Sequence, residues 1–182
     1  AGINQTIVKA PTSGRATAPG YTSQVYSGDN WYTDYLLAAY PTDLVNSDPI
    51  SVKVSGFTFD ANGQAHTSGS DRFTGVYFRK VFNSDIGAAG LFDSEIKGFN
   101  ASDPSVTGIR VLESSKLMLS GNQVKDYTIM GIVVYGTDNL TDPIVQTLGN
   151  TLTPAAGRNA EGIQYRFING SADYAGTIYN NT

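Results

Sequence analysis

The sequence contains no cysteine. Disulfides, thiolate nucleophiles and thiolate metal sites are excluded together, and the redox compartment stays undecided. A single histidine, His66, sits among Ser and Gly. Without a second imidazole it lacks the partners of a zinc site, and no G-x-S-x-G turn accompanies it for a Ser-His-Asp triad. No run of about 18 uncharged apolar residues is present to span a bilayer as a helix. No charged-then-apolar leader stands at Ala1, so a soluble, already processed or excised piece is expected. Lys and Arg number 12 against 16 Asp and Glu, and they are dispersed, which gives no phosphate-binding stripe and makes nucleic acid an unexpected partner. Helical periodicity is also missing: from Gly75 onward no ten-residue stretch carries apolar residues at i, i+3, i+4 and i+7.

What is present is Asn, Thr, Ser, Gly and Tyr, a balance expected of a secreted or cell-surface protein. Five Asn-x-Ser/Thr triplets begin at Asn4, Asn100, Asn139, Asn169 and Asn180 and are candidate glycan acceptors. With 40% apolar residues in 182, the chain can bury a sizeable core.

Two motifs repeat. Gly followed by a β-branched residue recurs at Gly75-Val76, Gly108-Ile109, Gly131-Ile132 and Gly162-Ile163, with Phe78, Val111, Val134 and Tyr165 three places after each Gly. An apolar alternation ending in Gly or Asn recurs at Gly56, Gly98, Gly121, Gly149 and Asn180. Short period-2 strands punctuated in this way fit a stacked β-solenoid, in which like residues lie about 4.8 Å apart in columns. The alignment predicts one buried column of Val76, Ile109, Ile132 and Ile163. A second is expected from Val54, Ile96, Leu119, Thr147 and Ile178. One place after the bend it predicts an aromatic stack of Phe57 and Phe99 and an amide ladder of Asn122, Asn150 and Asn181. The segment Trp31–Tyr40 is expected to form a helical piece of an aromatic-rich N-terminal cap over residues 1–49, leaving 50–182 for the coils.

From about Ile50 to Thr182, "SVKVSGFTFDANG", "GIRVLESSKLMLSGNQV" and "GIVVYG" resemble degenerate coils of the right-handed parallel β-helix of the pectate-lyase-like superfamily. The resemblance implies an all-β fold and a group that includes polysaccharide lyases, hydrolases, epimerases, tailspikes and adhesins. It also implies that catalytic Arg or Lys, where present, sits on an outer strand face.

If Ile109 and Val111 point inward, Arg110 points outward, and the matching positions in neighbouring coils are Tyr77, Val133 and Gln164. Tyr77, Arg110 and Gln164, with Trp31 and Tyr32 from the aromatic N-terminal stretch, are therefore candidate carbohydrate contacts. No catalytic residue is assigned: Asp93 and Glu95 share a face but have no acidic neighbour one coil on, as a glycosidase pair requires. No metal ligand is assigned either. Calcium is the one cofactor with any support, from Asp60 and Asp71 or Asp138 and Asp142, and these lack a calcium-loop spacing. The expected function is an extracellular structural or adhesive β-helix, as part of a filament, surface layer, adhesin or viral spike. The alternative is a polysaccharide lyase or glycoside hydrolase. Self-association, head-to-tail or by strand addition from Ile3–Ala10, is the expected partnership besides glycan.

Overall fold

The computed structural model describes residues 6–9, 33–41, 49–66, 72–136, 145–166 and 176–182. Fifteen strands and no helix are found among them, in five successive coils. The first coil is β1 (Thr6–Lys9), β2 (Thr33–Ala39) and β3 (Lys53–Ser55); the second is β4 (Phe57–Asp60), β5 (Arg72–Arg79) and β6 (Ala89–Phe92). The third is β7 (Glu95–Lys97), β8 (Val106–Leu112) and β9 (Leu117–Ser120), and the fourth is β10 (Gln123–Tyr127), β11 (Met130–Tyr135) and β12 (Val145–Leu148). The fifth is β13 (Thr151–Pro154), β14 (Glu161–Arg166) and β15 (Thr177–Tyr179). Every third strand joins the same sheet, giving three parallel five-stranded sheets: the first is β1-β4-β7-β10-β13, the second β2-β5-β8-β11-β14 and the third β3-β6-β9-β12-β15. Because each coil visits all three in the same order, the fold is a three-sided parallel β-solenoid.

The predicted column of the second sheet is present: Val76 pairs with Ile109, Ile109 with Ile132, and Ile132 with Ile163. The first three are fully buried. The glycines before the first three, Gly75, Gly108 and Gly131, are required by shape. A Cβ on Gly108 would overlap Val124 Cγ1 and stand 2.6 Å from Gly131 O, and one on Gly131 would stand 2.7 Å from Gly162 O. Both the Gly and its β-branched successor therefore face the interior, where the strand kinks and only a hydrogen fits at the first position.

The second predicted column needs one correction. Its members are Val54, Leu91, Leu119, Thr147 and Ile178; Ile96 belongs to the first sheet, beneath Phe59 and above Val124 and Leu152. The bend between the third and first sheets is made in that coil by Asp93 (φ 45°), stacked between Gly56 and Gly121, and not by Gly98. With it goes the Phe57–Phe99 stack: Phe57 lies over Ser94 and rests on Phe59, whereas Phe99 meets Phe73 edge-on. The one polar member of the second column, Thr147, is accommodated from across the core. Tyr165 replaces the Phe or Val of other coils, and its hydroxyl donates to Val145 O (2.8 Å) and reaches Thr147 Oγ1 (3.4 Å).

The helical expectation for Trp31–Tyr40 is overturned. Thr33–Ala39 is a strand paired along its length with β5. Its apolar Leu36, Leu37 and Ala39 pack on the core cluster, so tertiary pairing decides where local pattern was ambiguous. Thr6–Lys9, within the segment expected to add as a free strand, already pairs in parallel with β4.

The amide ladder is continuous. Asn122 Nδ2 donates to Asn150 Oδ1 (2.9 Å) and Asn150 Nδ2 to Asn181 Oδ1 (2.8 Å). The same oxygens accept the backbone N–H of Asn122 (3.0 Å) and of Asn150 (2.9 Å). Each amide also donates to a carbonyl one coil up, Leu91 O from Asn122 and Leu119 O from Asn150. Ser94 continues the column upward, its N–H donating to Asn122 Oδ1. These contacts satisfy backbone groups that a one-residue bend strands away from water.

Candidate functional site

Register places Tyr77, Arg110, Val133 and Gln164 side by side on the outer face of the second sheet, as the alternation predicts. Two residues further along the same face stand Arg79, Leu112, Tyr135 and Arg166. These lie one alternation beyond the candidates named from sequence, and the same period-2 rule reaches them.

The face is more closed than a solvated surface. Tyr77 is 3% and Arg110 7% exposed, and Val133 is buried. Tyr77 meets Tyr40 edge-on with ring centroids 6.4 Å apart. Burial pushes the Tyr77 phenol up, against the pull of Arg79 and Arg110. The Tyr35 hydroxyl, half-buried and 3.3 Å from that of Tyr40, is pushed up to about 12 by burial and by that bond. Arg79 forms a two-pronged bond with Glu113, Nε to Oε2 at 3.1 Å and Nη2 to Oε1 at 3.0 Å. Burial alone would lower the Arg79 pKa; Glu113 and Tyr77 together outweigh it and the net shift is upward, so the Arg79–Glu113 pair is a fixed ionic strut.

Toward the C-terminal coils the face opens. Tyr135 is half-buried and its ring lies between two guanidiniums, Arg110 at 5.3 Å and Arg166 at 5.8 Å from the centroid. Arg166 and Glu161 are exposed, and Gln164, half-buried, donates from Nε2 to Glu161 Oε2. Of the candidates on this sheet, Gln164 is half-exposed, while Tyr77 and Arg110 are buried, Tyr77 against Tyr40 and Arg110 against Tyr135. Trp31 and Tyr32 lie outside the described residues.

The outer face of the first sheet carries a second charged group. Glu95, nearly buried, binds Lys97 (2.8 Å) and Lys125 (2.7 Å). Burial would raise its pKa, but the two ammonium groups overcome this and hold it below the usual carboxylate range. His66 is tied to Asp103: its N–H donates to Oδ2 (2.7 Å) and Nδ1 lies 2.9 Å from Oδ1, which also accepts the Ser105 N–H. This is a loop clasp joining residues 37 apart in sequence.

Two of the five glycan-acceptor candidates are described. Asn100 closes a turn by accepting the Ser102 N–H at 2.9 Å, and Asn180 is the exposed bend residue (φ 53°) beside the ladder. Asn4, Asn139 and Asn169 lie outside the described residues. So do Asp71, Asp138 and Asp142; Asp60 accepts the Asn62 N–H in a local turn. Among the described residues no three His, Asp or Glu side chains converge as a metal site, and no helix is long and apolar enough to cross a membrane.

Three stacked parallel sheets define the class: an all-β solenoid with a polar ladder at one corner and a ring-and-guanidinium strip on one face. No family model matches the chain, and neither the curated proteins nor the solved structures yield a match.

Proposed function

We propose that the chain is a right-handed parallel β-helix of the pectate-lyase-like kind, serving outside the cell as a structural or adhesive module that contacts acidic glycans through the second sheet. The observation that carries this reading is the Arg110–Tyr135–Arg166 stack, buried at one end and exposed at the other. A guanidinium fork held against an aromatic ring suits a uronate or sulfate group, and the neighbouring Gln164 and Glu161 suit sugar hydroxyls. The Asn-, Thr- and Tyr-rich composition and the Asn100 and Asn180 triplets favour an exported setting.

Titration calorimetry with oligogalacturonate, a sulfated oligosaccharide and a neutral oligosaccharide tests the reading. Binding of an acidic probe is expected, weakened at least about tenfold in Arg166→Ala, roughly the loss of one charge-assisted contact. Equal binding of neutral and acidic sugars, or none of any, sinks it. Release of an unsaturated uronide, followed by ultraviolet absorbance, would instead establish the polysaccharide-lyase alternative.

A further inference from the structure

The two register rows that run through Tyr77 and Arg79 on the outer face of the second sheet hold three arginines, and these are not equivalent. Arg79 is committed to Glu113, whose two carboxylate oxygens take its Nε and Nη2. Arg110 is covered, with its guanidinium against the Tyr135 ring. Of the three, only Arg166, against the same ring, is exposed. We propose that this site selects a glycan whose acidic groups are isolated, each set between uncharged sugars, and discriminates against a run of consecutive acids. The proposal rests on the acidic-glycan reading of this sheet and names the ligand class within it.

Two paths lead away from Arg166, and neither offers a second acid a partner. Along the stack, the row passes through Tyr135 and Leu112, a ring and an aliphatic side chain, before it reaches Arg79. There the charge is already cancelled by a carboxylate in the two-pronged geometry that a ligand acid would adopt. This neutralisation is built into the bend: Glu113 is held at φ 47°, where a glycine is at ease, and Gly136 occupies the same bend one coil on. The other described cations of this face, Arg72 and Lys80, lie at and just beyond the two ends of β5, three coils or about 14 Å from Arg166.

Along the strand, β14 turns Glu161, Gln164 and Arg166 to the outer face. Gln164 stands two residues from Arg166, about 7 Å away, where the neighbouring sugar of a bound chain lies. Its Nε2 donates to Glu161 Oε2, which fixes the amide with Oε1 buried and brings an exposed carboxylate to the same place. One Nε2 hydrogen is left for a sugar oxygen, and Glu161 accepts from a sugar hydroxyl. A second acid at that position meets the Glu161 carboxylate instead, a like charge at short range with no further cation on the strand to offset it. The strand therefore reads one acid and then hydroxyls.

The test holds sugar and linkage constant and varies only the charge. Hexagalacturonate, the same chain with alternate carboxyls methyl-esterified, and the fully esterified chain are titrated calorimetrically into the full-length protein and into Glu161→Gln and Arg166→Ala, with folding verified by circular dichroism. The alternate ester is expected to bind the parent about threefold or more tighter than the free acid, although it carries fewer charges, because one exposed like-charge contact is relieved. Full esterification is expected to abolish binding, and Arg166→Ala to weaken both acidic chains about tenfold. In Glu161→Gln the free acid is expected to gain affinity until the two acidic chains bind alike. A free acid that binds the parent as tightly as the alternate ester overturns the proposal, as does a preference that persists in Glu161→Gln. In either case a loss of binding in Arg166→Ala leaves the acidic-glycan reading standing. No binding by any acidic chain, or equal binding of the fully esterified one, overturns the reading and the proposal together.

Discussion

In the second sheet Gly75, Gly108, Gly131 and Gly162 stand one above another, the first three with room only for hydrogen, whereas the bend from the third to the first sheet stacks Gly56, Asp93, Gly121, Gly149 and Asn180. At the kink the absence of a side chain is the requirement. At the bend the requirement is a positive φ, from 45° at Asp93 to 77° at Gly56, and the space varies: nothing lies within 4 Å of a Cβ on Gly149, while one on Gly121 would meet the Asp93 carboxylate. Asp and Asn tolerate that conformation, so the bend column is spelled with three letters, while the kink position is Gly in the second to fifth coils and Leu36 in the first. The same glycine thus means two different things a few residues apart: close packing at Gly75, Gly108 and Gly131, and a positive φ at the bend.

The largest expected effect tests the amide ladder beside the bend. Asn150→Leu removes the acceptor of the buried Asn122 N–H and Nδ2 and the donor to Leu119 O, stranding groups that cost about 1–3 kcal/mol each. A loss of roughly 3–5 kcal/mol is expected in urea unfolding; a variant as stable as the parent would remove the ladder as a stabilising element.

Next comes the direct contrast of the two columns. Gly108→Ala drives a methyl into Val124 and the Gly131 carbonyl, and is expected to cost about 3 kcal/mol. Gly149→Ala meets open space and carries only the conformational penalty, about 1 kcal/mol, while Gly149→Asn is expected to lie within about 0.5 kcal/mol of the parent. If Gly149→Ala proves as damaging as Gly108→Ala, the distinction between shape and φ fails.

The smallest effect is electrostatic. Glu95 is held below its ordinary value of 4.5, so the unfolded chain takes up the proton first as pH falls. Its contribution is complete above the unfolded value and is lost as pH drops through the lower folded value. Thermal melts from pH 6 to pH 3 should therefore fall less steeply in Glu95→Gln than in the parent. Identical profiles would show that the Lys97–Glu95–Lys125 group adds nothing to folding.

Much of this architecture was legible in residues that repeat locally. The Gly-plus-β-branched motif has one reading wherever it occurs, so Ile109, Ile132 and Ile163 fell into register without a structure, and Asn122, Asn150 and Asn181 followed from a shared place after the bend. The misplacement of Ile96 came from taking Gly as the only sign of a bend; Asp93-Ser94 and Glu113-Ser114 carry the alternative, a residue at positive φ followed by a hydroxyl bound to a carbonyl two residues back. The candidate contact face was located but not its accessibility. Outward direction follows from alternation, whereas the burial of Tyr77 and Arg110 depends on neighbours such as Tyr40 and Tyr135, which come from other coils.

The sequence by itself determined an all-β stack, its kink column and its amide ladder, because each is written as a short pattern whose meaning depends on the residue and its immediate neighbours. The tertiary structure decided that Thr33–Ala39 is a strand, that Asp93 makes a bend, and that Arg110 lies covered beside Tyr135. These outcomes depend on pairing and packing between segments about 25 to 40 residues apart, where the free energy of forming a sheet outweighs weak local preference.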